Sequence, residues 1–470
     1  MQKISLALAG LVGATNVHLN PAAQGKIAFI HSGSSARLYN PQSTGSSMIS
    51  APRHAQSSST AVRGLREPSE SLPLERMMLE LERRPFRRLT DINADNYDQM
   101  EQKVAPQDLV QMVLVKRSDN DQYTSNFGTV KGKYVPQTPA TAITDLKKLA
   151  SNSGVKKAFV QYQPSSPDLS YDERIDEFCA LLTEMKAGLP DTELVVDPIA
   201  ICIRPTLRWG VPLEGQATPG AEDVLGQKSG TTKPEIDAKA TLAVFEKAVD
   251  RIAQTGIDGI LTLGRVNYEV AVAKAAIDKQ GLDTRIFSFS TNSETAFAYF
   301  SAVVNDPAKA RTGQKLLVGN HHEMLARALI DINEGTNVVL QKPIENFAIP
   351  QALSSMQDSE EYFLSVVGDG TVGELLNDYM DLQTPTGKID LDQLYEKLKK
   401  VDLGAYEVSG SFITQSLISD SWSDDLGYTL QNERYLTAQA ASGNKMRYIV
   451  GRGMAPYLDF IQHQDENTSN

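Results

Sequence analysis

The sequence predicts an α/β protein built as a (β/α)8 TIM barrel, with an N-terminal extended or helical arm and loop insertions. Three observations carry that prediction. Eight short apolar runs of strand-forming residues recur between Leu109 and Val450, most of them separated by amphipathic stretches, and strands that alternate with helices indicate a parallel sheet. The run Val338-Val339-Leu340 follows a helix-like stretch, His321 to Glu334, closed by Gly335; helix, Gly stop and buried strand make one αβ unit of such a sheet. That run ends in Gln341-Lys342-Pro343. A single Lys therefore stands at the carboxyl end of a strand, where (β/α) barrels carry their chemistry. A doubly wound sheet is the competing arrangement.

Taken in order, the expected strands are Leu109 to Val115, Lys157 to Tyr162, Leu194 to Asp197, Gly259 to Leu263, Arg285 to Phe289, the Lys342 strand, Gly404 to Gly410 and Met446 to Val450. Expected helices between them include Thr141 to Ala150, Tyr171 to Ala187, Ala238 to Gln254, Glu269 to Lys279 and His321 to Glu334. In the second of these, Ile175, Phe178, Leu181, Leu182 and Met185 fall on one face, the spacing of a helix against a core. Two stretches break the rhythm and are expected to be insertions: the Gly-, Pro- and Thr-rich residues 211–235, and the polar, irregular residues 351–390, which carry some helix.

The 470 residues, 41% hydrophobic and 22% charged, have the composition of a globular protein. A formal net charge of −12 argues against a nucleic-acid partner. Only Cys179 and Cys202 are present, too few for a disulfide framework or a Cys-based zinc site. No apolar run reaches the ~20 residues that span a bilayer. Charge is unevenly spread: no Asp or Glu precedes Glu67, whereas six of the 46 basic residues do. Ile4 to Ala14 has the length of a signal-peptide apolar region, and about Phe29 to Arg66 is rich in Ser with Arg and no acid, a transit-peptide composition. Residues 1–66 are accordingly expected to be a two-part targeting leader to a plastid, like those of algae with secondary plastids, or a secretory signal with a linker. Residues 67–105 form the arm, Arg-rich and helical in pattern from Leu72 to Leu89; 106–463 form the barrel and 464–470 a tail.

Over roughly Arg83 to Phe460 the chain resembles the porphobilinogen synthase (5-aminolevulinate dehydratase) family. Tyr406-Glu407-Val408-Ser409-Gly410-Ser411-Phe412 is similar to that family's Y-Q-V-S-G-E-Y strand end. Asn320 through Lys342-Pro343 is similar to its run from D-P-A-N, through a helix and E-G-A-D, to M-V-K-P, and Arg83-Arg84-Pro85-Phe86-Arg87-Arg88 to its basic arm. The resemblance implies condensation of two 5-aminolevulinates to porphobilinogen in tetrapyrrole (haem and chlorophyll) synthesis, a lyase chemistry using two Schiff-base lysines. It places Lys342 at one of those lysines, Ser409 at a hydroxyl that binds a substrate carboxylate, and Arg311 at a carboxylate-binding Arg of the lid. The other lysine falls in a segment S-Y-A-A-K-Y-A-S-x-F, which here reads Ser288 to Phe297 and puts Asn292 in its place. An amide nitrogen is not basic and forms no imine. In the metal loop, Ile201 to Gly210 offers only Cys202, off register, so neither a metal site nor any other cofactor is expected. The D-M-M-D-G-R turn reads Gly264-Arg265-Val266-Asn267-Tyr268-Glu269, without its two Asp, and Gly451 stands where the family has a Tyr.

Each candidate has a plainer reading beside the chemical one. Lys342 is either an imine-forming amine, readied by poor solvation in an apolar mouth, or an inherited cation paired with a carboxylate. Ser409 is either a ligand or a hydroxyl satisfying backbone. Arg204, Arg208 and Arg452 either form an anion-binding mouth or lie scattered, and His321-His322 reads as surface at a helix start. Three functions follow: a synthase altered to work without metal, a pseudoenzyme that binds a plastid protein, and an aldolase-like enzyme using Lys342. Expected partners are 5-aminolevulinate or a related small carboxylate, and other copies of the chain or a second protein. A fusion of residues 1–66 to a fluorescent reporter should be delivered to the plastid and processed; uniform cytosolic fluorescence would refute the leader.

Overall fold

The computed structural model describes residues 104–117, 136–166, 168–202, 210–211, 236–264, 266–289, 291–292, 320–368, 370–381 and 389–468. The leader, most of the arm, Arg311, Arg204, Arg208 and most of the 211–235 insertion lie outside them. Among the described residues eight parallel strands close into a barrel in sequence order, as the sequence predicts. The strands are β1 (Leu109–Val115), β2 (Lys157–Tyr162), β3 (Glu193–Asp197), β4 (Gly259–Thr262), β5 (Arg285–Ser288), β6 (Val338–Gln341), β7 (Asp402–Tyr406) and β8 (Met446–Gly451). Closure comes from β1 against β8, with Leu109 opposite Ile449 and Gln111 opposite Gly451. No described helix is long and apolar enough to cross a membrane.

Helices cover the outside: α1 (Pro139–Ser153), α2 (Tyr171–Gly188), α3 (Ala238–Ala253), α4 (Glu269–Gln280) and α5 (His321–Glu334) each return the chain to the next strand. Their starts are chemically specified. At α2, Ser170 and Glu173 form a reciprocal capping box, and at α3 the Asp237 side chain accepts from the Ala240 amide at 2.9 Å. The buried face of α2 carries Ile175, Phe178, Leu181, Leu182 and Met185.

Two expectations change. Residues 351–390, expected to be a polar, irregular insertion carrying some helix, are mostly helical where described: α6 (Ala348–Asp358), α7 (Glu360–Gly368) and α8 (Gly370–Asp381) follow one another, and α9 (Leu391–Leu398) comes next. Their apolar residues are sparse but correctly spaced: Ile349, Leu353, Met356, Phe363, Val367, Val372 and Leu376 all enter one buried cluster. A single-residue break at Ser359 separates α6 from α7. The seventh strand also ends earlier than expected, at Tyr406, and Ser409 already opens α10 (Ser409–Ser421). α11 (Asp424–Ala441) and α12 (Met454–Thr468) complete the ring.

The interior is filled in layers, as a barrel of this size requires. At its amino end Arg285 donates to the Tyr448 hydroxyl and to Asp402 (2.5 Å), and Tyr448 donates to Glu193 at 2.7 Å. Above that, Phe287 meets Tyr448 edge to face, with centroids 4.9 Å apart. Beside them the backbone of Gly404 passes so close to Leu340 and to the Tyr448 carbonyl that a Cβ there would collide with both, lying 2.8 Å from the carbonyl oxygen. Gly404→Ala is therefore expected to destabilise the barrel by about 1–3 kcal/mol, read as a lower urea midpoint; an unchanged midpoint would show that the layer is loosely packed.

Candidate active site

The carboxyl ends of β5, β6 and β7 bring the candidate residues together. Phe289, just past β5, lies 5.0 Å from Tyr406 at the end of β7, edge to face, and 6.3 Å from Phe159 of β2, stacked; Phe159 and Tyr406 are 5.5 Å apart. The Tyr406 hydroxyl is turned to Met112 Sδ at 3.2 Å. These rings make a floor across the mouth. Lys342, just past β6, is 8% exposed, and its Nζ lies 4.8 Å from the centroids of both Phe289 and Tyr406. An ammonium so placed exchanges part of its hydration for the negative faces of two rings.

Asn292 stands beside it. An isolated parallel bridge joins Asn292 to Lys342, extending the β5–β6 pairing past its last regular register, Ser288 with Val339. Thr291 Oγ1 donates to the Leu340 carbonyl at 2.9 Å and Gln341 Nε2 to the Thr291 carbonyl at 3.2 Å, so the segment is held to β6 from both sides. Asn292 is buried and its Oδ1 has no hydrogen-bond partner. On the far side of the mouth, buried Asp197 accepts from Gln161 Nε2 and from the Ile199 amide, each at 2.9 Å. The β4–α4 turn has its own anchor: Glu269 accepts from the amides of Leu263 (2.5 Å), Gly264 (3.0 Å) and Val266 (2.8 Å).

The other described candidates take the following places. Ser409 is the first residue of α10. Arg452 is buried, donating to the Glu407 carbonyl at 3.3 Å. His322 is exposed at the start of α5. Cys202 ends a buried turn, Pro198–Cys202, and burial pushes its thiol up to about 12, with Glu269 adding to the effect and Arg174 opposing it. A protonated core thiol does not fit a thiolate metal ligand, and among the described residues no three His, Cys, Asp or Glu side chains group to hold an ion. Two cavities, of about 460 and 630 Å³, open elsewhere, one beside β1 between α1 and α12, the other at the amino end around Glu193 and Arg285.

Sequence reasoning missed the polar cluster behind Tyr406. Glu407 is fully buried; its Oε2 accepts from the Tyr435 hydroxyl at 3.3 Å and the Arg452 amide at 3.4 Å, and its Oε1 lies 3.8 Å from Arg434 Nη1. Gly451 makes this possible, because a Cβ there would collide with the Tyr435 hydroxyl and lie 3.1 Å from Glu407 Oε2. The available signal was an acid directly after an apolar strand ending in Tyr406.

No protein-family profile and no curated protein matches the chain. Among solved structures, δ-aminolevulinic acid dehydratase (porphobilinogen synthase) of Toxoplasma gondii ME49, crystallised with porphobilinogen, superposes with a TM-score of 0.56 at 13% identity, covering 80% of this chain and 91% of that one. The shared feature is the fold. A 2,3-dimethylmalate lyase of the PEP mutase/isocitrate lyase superfamily reaches a TM-score of 0.30 at 9% identity over 78% of this chain and 88% of its own. The carboxyl transferase domain of Rhizobium etli pyruvate carboxylase also reaches 0.30, at 10% identity over 75% and 43%. Likenesses that slight bear on nothing further.

Glu407 gives the site a pH signature. Burial raises its carboxyl from the ordinary 4.5 to about 7, against the lowering effect of Arg434 and Arg452. The unfolded chain therefore ionises this group first. Its contribution to stability is fully present below about pH 4.5, falls as pH rises, and is lost above about pH 7, a swing on the order of 3 kcal/mol. Glu407→Gln should flatten that limb of the melting temperature against pH, with the variant gaining on the parent between pH 5 and 8. Parallel curves would place the carboxyl's transition elsewhere.

Proposed function

We propose that this chain is a divergent relative of porphobilinogen synthase that has lost the two-amine condensation and makes no porphobilinogen. The bridge between Asn292 and Lys342 carries the reading. The resemblance assigns two Schiff-base lysines to these two positions, and they sit as bridged neighbours just past the ends of β5 and β6, as joint action on two substrates would need. One of the pair is an amide. Asn292 can donate a hydrogen bond to a carbonyl, but it forms no cationic imine, so the electron sink at the second ketone is missing. In the metal loop the resemblance finds only Cys202, off register and buried, which speaks against a metal that would polarise that carbonyl. Groups that act as a unit lose most of their effect when one is removed.

Lys342 favours a narrower chemistry of its own: capture of one carbonyl compound, the amine adding to the carbonyl carbon with loss of water to give an iminium. Its burial against Phe289 and Tyr406 supports this, since the rings exclude water and tolerate the cation that results. We place the protein in a plastid, in association with its own copies or with another protein of tetrapyrrole synthesis, on the strength of its leader composition and the resemblance.

Pyrrole formation from 5-aminolevulinate, with and without Mg²⁺ or Zn²⁺, should stay at background for the parent and for Asn292→Lys alone, because the turn carboxylates remain absent. Turnover near about 1 per second, abolished by Lys342→Ala, would overturn the reading. Borohydride reduction in the presence of 5-aminolevulinate, followed by intact mass and peptide mapping, should give at most one adduct, on Lys342.

A further inference from the structure

The loop that follows Lys342 is tied to the end of β7 by one backbone bond and closed on itself by another. The Ile344 amide donates to the Tyr406 carbonyl at 2.9 Å and the Asn346 amide to the Pro343 carbonyl at 3.1 Å. Between them Glu345 accepts from Ser411 Oγ of α10 at 2.6 Å. Arg434, on α11, reaches this loop from behind. Its Nε is 3.4 Å from Glu345 Oε1 and its Nη1 is 3.8 Å from Glu407 Oε1. The guanidinium thus stands between two carboxylates and is drawn up tightly to neither. Glu345 lies three residues after Lys342 and Glu407 one residue after Tyr406, so a single side chain bridges the two segments that present the amine and its aromatic floor.

The two carboxylates differ in the one property that decides which holds the cation. Glu345 is 36% exposed in its side chain and stays solvated, whereas Glu407 is 0% exposed and its Oε1 has no hydrogen-bond partner. An ionised carboxylate in that position would attract Arg434 with little screening, and a protonated one hardly at all. The groups facing Glu407 are Arg434 and Tyr435 from α11, Arg452 after β8 and Glu345 after β6, with Tyr457 of α12 behind Tyr435 at a centroid distance of 5.2 Å. Burial pushes the Tyr435 and Tyr457 phenols up, away from neutral pH, so neither changes charge there. Glu407 does, since burial holds its carboxyl at about 7.

We propose that Glu407, Arg434 and Glu345 form a proton-controlled clamp on the Lys342 loop, in which Arg434 is a positioning residue. With Glu407 protonated, Arg434 holds Glu345 and the loop is fixed to α11. With Glu407 ionised, Arg434 moves inward to it, Glu345 keeps only Ser411, and the loop carrying Lys342 loosens. The effect on the amine rests on the reading of Lys342 given above; the clamp itself does not.

Hydrogen exchange at the Ile344 and Asn346 amides of the full chain tests it. Measured at pH 6 and pH 8, corrected for intrinsic exchange and referred to the amides of β2, exchange of the parent should be several-fold faster at pH 8. Glu407→Gln, which fixes the neutral shape, should be slow at both pH values, and Arg434→Gln fast at both. A parent without the pH difference, or a Glu407→Gln variant that keeps it, overturns the clamp. In parallel, borohydride trapping of glyoxylate on Lys342 should follow the same pH step in the parent and lose it in Glu407→Gln. If no adduct forms at either pH, the imine reading of Lys342 falls, while the exchange data still decide the clamp.

Discussion

The contact of Lys342 with the faces of Phe289 and Tyr406 governs the upper half of this barrel. A closed ring of eight strands must fill its interior with side chains, and here three aromatic rings from β2, β5 and β7 fill the layer beneath the mouth. They leave an ammonium at the end of β6 little room for water. Two ring faces at 4.8 Å recover part of that lost hydration, a contribution of about 2 kcal/mol where the cation is desolvated. The contact also fixes the registers around it. Tyr406 must end β7 at the height of Lys342, which the pairing of Gln341 with Ala405 provides, and Phe289 must follow β5 by one residue, with the Asn292 amide donating back to its carbonyl at 3.0 Å.

Much of this is legible in the sequence, and what is illegible has physical causes. Strands buried on both faces read as near-continuous apolar runs, so Leu109 to Val115, interrupted only by Gln111, or Val338 to Leu340 identify themselves. The Lys that terminates such a run is visible for the same reason. Residues 348–381 hide their helices because each is only two or three turns long and shows a single apolar stripe; Phe363 is uninformative until Tyr395 of α9 stands against it, 5.2 Å away between ring centroids. The seventh strand is overread because Val408 and Phe412 continue an apolar pattern into the first turns of α10, where periodicity alone does not separate a strand from a buried helix. Asn292 and Lys342 can each be picked out in one dimension through the resemblance, but their bridge spans fifty residues and becomes visible only in the closed sheet.

The cluster behind Tyr406 was beyond sequence reasoning for a different reason: its members make sense only together. Glu407 alone is a buried charge without compensation, which costs several kcal/mol unless cations or a proton accompany it. Arg434 and Arg452 supply the cations and a raised carboxyl supplies the proton. Gly451 alone removes a side chain from the last strand, yet the Tyr435 hydroxyl occupies the vacated space and turns it into a contact with Glu407. No two of these residues stand at a motif spacing.

That interdependence bears on how far this site stands from the chemistry its shape resembles. At position 451, where the resemblance expects a Tyr, any side chain would have to displace the Tyr435 hydroxyl, and Tyr435 could move only by abandoning Glu407 to a pocket in which its remaining partners lie at 3.4 Å or more. At the β4–α4 turn Glu269 already holds three amides, so an acid placed at Gly264 or Asn267 would enter a loop organised around a different carboxylate. At both places the neighbours are packed around the residues this chain carries, so a single substitution there meets a structure already fitted to another arrangement.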